Sequence, residues 1–174
     1  MAIGLKRVSL RSQGFTLLEI LVVLVIIGIM ASFAVLQFGG RGSKPAKAEV
    51  DRLATLVRLA REEAILNSRD YGLGFSATGY AFYALDEKED TWTPVENDRV
   101  LRPRFLPESL RIQLTVEDQW VELKPDLPKK KPQVFIYSSG EMTPFSVGVR
   151  VEAADSEPVE LKLDELGRRA ELQP

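Results

Sequence analysis

The sequence contains neither cysteine nor histidine. Without cysteine no disulfide can form, so a folded part must be held by its own core. The two absences together exclude a thiol nucleophile, an imidazole base and any zinc site built on Cys or His. Carboxylate-only or Ser/Lys chemistry is left, and no such constellation is visible. The reading is therefore of a protein that is not an enzyme, with no catalytic, cofactor-binding or metal-binding set. A strong excess of one charge is lacking too: 23 Lys and Arg stand against 25 Asp and Glu, a formal net charge of −2. Lys6, Arg7 and Arg11 lie in a stretch without acids, which leaves residues 39–174 more acidic than the chain as a whole. An acidic domain gives no electrostatic reason to expect nucleic acid as its main partner.

What is present in excess is local. The hydrophobic share of 45% is ordinary, but its densest block runs from Ile20 to Leu36. Residues 1–14 are short, basic and end in Gly14. From Phe15 to Phe38 only Thr16, Glu19, Ser32 and Gln37 are polar. As a helix this run extends about 36 Å, enough for a hydrocarbon core of about 30 Å. Three readings fit: a secretory signal peptide cut after Ser32-Phe33-Ala34, a plain signal anchor, or a leader cut before an apolar segment that the mature chain keeps. Glu19 favours the third. A signal peptide gains nothing from an acid at the start of its apolar region, and an acid in a spanning helix costs about 2.5–3.5 kcal/mol at mid-bilayer, less near an end.

Gly14-Phe15-Thr16-Leu17-Leu18-Glu19 resembles the processing motif of type IV pilins and type II secretion pseudopilins. The resemblance implies that a prepilin peptidase cuts after Gly14 and N-methylates Phe15, and that Glu19 serves in assembly. After cleavage the Phe15 α-amine is cationic at neutral pH. Paired with Glu19 of a neighbouring subunit it offsets desolvation and fixes axial register; the plainer reading is a Glu that reaches the headgroups. Flanking charge does not orient the segment, because Lys6, Arg7 and Arg11 on one side face Arg41, Lys44 and Lys47 on the other. A periplasmic C-terminal domain is what the resemblance implies.

Gly39–Pro45 packs glycines and a proline into a break, where a bend or melted turn is expected. Val50, Leu53, Val57, Ala60 and Ala64 then recur at helical steps over 46–67, predicting an amphipathic helix laid on a sheet. From Tyr71 the period becomes two: around Tyr80 and Phe82, over Leu110–Val116, Val134–Tyr137, Phe145–Val151 and Val159–Leu163. Short alternating strands predict antiparallel sheet with one wet face. Ser139-Gly140-Glu141-Met142-Thr143-Pro144-Phe145 resembles the C-terminal signature of the H-type minor pseudopilins, the GspH/FimT group. Gly79–Leu85 and Leu161–Leu172 fit that group loosely. This resemblance implies a minor subunit near the tip of the type II secretion pseudopilus. Its implied partners are other minor pseudopilins, the major pseudopilin, the prepilin peptidase, the inner-membrane assembly platform and membrane lipid. A minor pilin of a type IV or DNA-uptake pilus is the alternative.

The expected organisation is thus a leader at 1–14, a transmembrane assembly helix at 15–38, a hinge at 39–45 and a periplasmic domain at 46–174. Within the last, a helix at 46–67 precedes β structure at 71–174. The fold class is α+β and pilin-like, a long N-terminal helix packed on an antiparallel sheet or sandwich. Other features carry two readings each. Asp86–Asp90 reads as a solvated hairpin turn ahead of a calcium loop, since it lacks the spacing of an EF-hand. Pro128–Pro132, with its three lysines, reads as an exposed connection ahead of a lipid or nucleic-acid contact. Gly140 reads as a turn residue. Arg168 and Arg169 are candidates for DNA, with Glu165 and Glu171 weakening their field. Trp92 and Trp120 read equally as interface anchors or core.

Overall fold

The computed structural model describes residues 17–41, 43–152 and 157–170. The cleavage and methylation positions Gly14 and Phe15 lie outside them. Two helices lead, α1 over Leu17–Arg41 and α2 over Ser43–Asn67. The stretch 39–45 falls on their adjoining ends. The described residues fall into two units that divide between Gly39 and Gly40.

In the second unit α2 opens a β-rich domain. Its predicted stripe is its buried face: Val50, Leu53, Val57, Ala60 and Ala64 are all almost fully buried, with Ala46 and Leu56 beside them. The strands follow as β1 (Tyr71–Ser76), β2 (Gly79–Asp86), β3 (Thr91–Pro94), β4 (Arg104–Phe105), β5 (Leu110–Val116), β6 (Gln119–Val121), β7 (Val134–Ile136), β8 (Phe145–Val151) and β9 (Val159–Leu163). They form two sheets with antiparallel pairings. The first has the order β3-β2-β1-β7, with β4 also paired to β2; the second has the order β6-β5-β8-β9. α2 packs against β1 and β7 of the first sheet and β8 and β9 of the second.

The core lies between α2 and the inner faces of both sheets. Leu73, Phe75, Tyr80 and Phe82 come from the first; Leu110, Ile112, Leu114, Val147, Val149 and Leu161 come from the second. Phe75 holds the two together, its ring 5.8 Å from Phe145 and 6.3 Å from Tyr80. Alternation along β5 is as the period of two dictates, with Leu110, Ile112 and Leu114 inward and Arg111 and Gln113 outward.

The expectation of one wet face fails for the first sheet. Every residue of β1 and the first six of β2 are buried. The cover on the outer face is the segment between β6 and β7. Pro132 lies against Gly72, and Pro128 lies 3.0 Å from where a Cβ on Gly74 would stand. Glycine at these two alternate positions leaves a flat strip of backbone into which the proline rings fit. Tyr83, also on that face, donates its hydroxyl proton to the Pro128 carbonyl at 2.6 Å. Gln133 clamps the end of the segment through both amide atoms, accepting from Phe75 N and donating to Phe75 O.

Candidate functional site

From Leu17 to Ile29, where its side chains are described, α1 is exposed on every side. Leu17 is 85% and Leu18 72% accessible, and Ile20 to Ile27 follow in one apolar run. A helix apolar around its whole circumference has no wet face, so its stable surroundings are lipid or other apolar helices. Glu19 is the acid of its first turn and is exposed. A carboxylate there meets the positive end of the helix dipole. The segment Leu17–Ile29 is about 20 Å long, and among the described residues no helix is long and apolar enough to cross a membrane.

In the β domain the Ser139–Phe145 signature forms the crossing from the first sheet to the second. Ile136 bridges to Met142 as an isolated antiparallel pair. Thr143 bonds Phe135 twice, its N–H donating to the Phe135 carbonyl and its hydroxyl accepting from Phe135 N–H. Gly140 turns the chain with φ +89°, and a Cβ there would stand 2.9 Å from Ile65 Cδ1 on α2. Arg61, also on α2, donates from Nε to the Gly140 carbonyl. The turn reading of Gly140 therefore holds, and the signature is a clamp joining α2, β7 and β8.

The remaining sequence candidates separate. Arg168 pairs with Asp164 at 2.8 Å and Arg169 with Asp51 at 3.0 Å, so each guanidinium faces a carboxylate. Backbone and side-chain hydrogen bonds from Arg168 hold the Asp164 carboxyl below its ordinary range. Asp86–Asp90 forms the β2–β3 turn, where Asp86 Oδ1 accepts from Lys88 N and Glu89 N. Trp92 packs its ring at a tilt of 50° against Phe135 on the covered face, centroids 5.5 Å apart, whereas Trp120 on β6 is 66% exposed. The stretch 128–132 is exposed only at its lysines; Pro132 is buried.

Sequence reasoning missed Glu49. It is 8% exposed within the apolar face of α2. Its Oε1 accepts the Tyr80 hydroxyl at 2.7 Å and its Oε2 meets Arg52 at 2.6 Å. Burial, then the bond to Glu49 and its charge, push the Tyr80 phenol well above its ordinary value. The signal lay in the stripe itself, because Glu49 stands four residues before Leu53 and so shares its face.

The family model for type II transport protein GspH matches residues 49–167, and the prokaryotic N-terminal methylation motif matches residues 9–35. Type II secretion system protein H of Pseudomonas aeruginosa is 34% identical over 161 residues, covering 88% of this chain and 91% of that protein. The chain belongs to the GspH family. The protein of the same name from Aeromonas hydrophila is 29% identical, covering 94% of each chain. The fold is that of the Vibrio cholerae minor pseudopilin EpsH, with a TM-score of 0.62 at 24% identity over 73% of this chain and 94% of that one. The GspH match opens at Glu49, on the buried face of α2, and closes at Gly167 in the turn after β9. It thus takes in both sheets and most of the covering helix. A GspH-family chain is a structural pseudopilin of type II secretion, not an enzyme, and associates with other pseudopilins.

Proposed function

We propose that this chain is a minor pseudopilin that is cut between Gly14 and Phe15, methylated at Phe15, and held in the bacterial inner membrane by residues 15–38 until assembly. Its β domain then lies in the periplasm, and the subunit takes its place near the tip of the pseudopilus to support export across the outer membrane. The observation that carries this reading is α1, an apolar helix with one acid in its first turn, exposed on all sides over Leu17–Ile29. Continued through Phe38, the same run is about 33 Å long, the thickness of a hydrocarbon core. Extraction into a filament replaces lipid by neighbouring apolar helices, so little hydrophobic driving force is lost. Glu19 then pairs with the Phe15 amine of an adjoining subunit and sets the register. The prepilin peptidase and the inner-membrane assembly platform are the partners this route requires.

The pairing of Arg168 and Arg169 with carboxylates favours secretion over a DNA-uptake pilus. The deciding measurement is the intact mass and N-terminal sequence of the mature protein. A chain starting at methylated Phe15 supports the reading; one starting after Ala34 ends it.

A further inference from the structure

We propose that the segment joining β6 to β7 is a preformed basic ridge, Lys129-Lys130-Lys131, that docks onto a carboxylate cluster of a neighbouring pseudopilin subunit. The proposal rests on the pseudopilin reading and adds to it a face and a partner chemistry.

Three observations carry it. First, the ridge is fixed. Pro128 and Pro132 bracket the lysines and sit on Gly74 and Gly72. Tyr83 bonds the Pro128 carbonyl, and Gln133 bonds both backbone atoms of Phe75. A run of lysines that merely keeps a loop soluble has no use for five such attachments, and ordering it costs entropy. Preorganised groups lose less on binding, which is where such an attachment is repaid.

Second, the charge is uncompensated. All three lysines are exposed. Among the described residues none of them has a carboxylate within ion-pair distance. Lys131 alone finds a neighbour, its Nζ standing 5.1 Å from the centroid of the Phe135 ring. The carboxylates of the same segment, Glu122 and Asp126, are exposed and make no bridge to the ridge. Three adjacent cations repel one another, and an opposing cluster of carboxylates relieves that repulsion.

Third, the complement exists in this fold. The β2–β3 turn of this chain presents Glu87, Glu89 and Asp90 against the single Lys88, all exposed. A subunit with such a turn offers what the ridge lacks. A guard against strand pairing would sit on an edge strand such as β3 or β6. The prolines that bracket the ridge instead lie on the face of the first sheet, over Gly72 and Gly74 of the interior strand β1.

The test is zero-length carbodiimide cross-linking in secreting cells that carry the full chain, followed by peptide mass spectrometry. The reagent joins a lysine amine only to a carboxylate in contact. Amide links from Lys129, Lys130 or Lys131 to Asp or Glu of another pseudopilin are expected. The triple variant K129E/K130E/K131E is expected to lower co-isolation with other pseudopilins about tenfold, since like charges then face each other; K129R/K130R/K131R keeps it. Equal co-isolation of the reversed variant, or links that avoid the ridge, overturns the proposal. Protection of these lysines from a soluble amine reagent in cells lacking the other pseudopilins also overturns it, because the cover is then the membrane. If the unaltered chain itself fails to co-isolate, the pseudopilin reading falls; if it co-isolates and the reversed variant does so equally, only the ridge falls.

Discussion

The Tyr80 hydroxyl donates to Glu49 Oε1 at 2.7 Å inside the core, joining β2 to the first half of α2. Arg52 supplies the second donor from the surface side. The carboxylate is thereby buried without being left short of partners, the condition under which a buried acid is tolerated.

Tyr80→Phe keeps the ring and removes the donor. It is expected to cost about 1–3 kcal/mol, the penalty for leaving a buried oxygen unsatisfied, read by urea denaturation of the detergent-solubilised full chain. The same residue sets alkaline behaviour. Its folded pKa lies above the unfolded value of 10.0 because burial disfavours the phenolate. The folded state therefore holds the proton longer than the unfolded one. Stability is fully present below pH 10 and falls as pH rises beyond it, by at most about 1.4 kcal/mol per pH unit for each such phenol. Tyr83 acts in the same direction, also through burial. Denaturation midpoints measured from pH 9 upward are expected to fall less steeply in the Tyr80→Phe variant, so an unchanged slope would remove Tyr80 from the account.

Gly140→Ala meets two obstacles. The position has φ +89°, and the new methyl would stand 2.9 Å from Ile65 Cδ1. A loss of at least about 1 kcal/mol is expected, because alanine is strained where φ is positive. Ile65→Ala in the same chain relieves the contact but not the backbone, so the double variant recovers only part of the loss.

Gly72→Ala or Gly74→Ala is expected to lift the proline-bracketed segment from the first sheet. At Gly74 the added methyl would lie 2.7 Å from Tyr83 Cε2 and 3.0 Å from Pro128 Cγ. Limited trypsin digestion reads this directly: cleavage at Lys129–Lys131 accelerates in either variant, while cleavage rates elsewhere stay near those of the parent. Equal rates at the ridge would mean that the segment is not held by these glycines.

Processing and incorporation are expected to separate genetically. Gly14 replaced by a bulkier residue such as Val is expected to leave a persistent precursor on a gel. Glu19→Ala is expected to be processed normally but to enter the pseudopilus poorly, measured as reduced secretion and reduced co-isolation with other pseudopilins. Normal assembly of the Glu19→Ala variant would contradict the register role.

The sequence made α2 and most inner strands legible because their apolar residues repeat at 3.6 and 2 and face one continuous core. Val50, Leu53, Val57, Ala60 and Ala64 form the buried stripe, and Leu110, Ile112 and Leu114 point inward. The outer cover of the first sheet was hidden. Its receiving positions are glycines, which carry no hydropathy signal, and the covering prolines lie more than fifty residues further along the chain. β3, β4 and β6 are too short for a period to register. Glu49 was hidden for a different reason: its partner Tyr80 is fixed by sheet register, which only the fold defines. The N-terminal motif was legible because its chemistry is local, a junction and an acid at fixed spacing.

The ion pair between Arg169 and Asp51 joins nearly the last described residue to the first elements of the β domain. β9 packs on α2 beside it. The domain therefore closes on its own beginning, and α2 has no complete cover until the final strand has arrived. Contacts of such long sequence separation cost more loop entropy to close than local ones. A chain that stops before β9 keeps the cover that β1, β7 and β8 give α2 but lacks the part that β9 supplies. The two ends of the domain are thus stabilised by one another, so truncation at the C-terminal end is felt at α2.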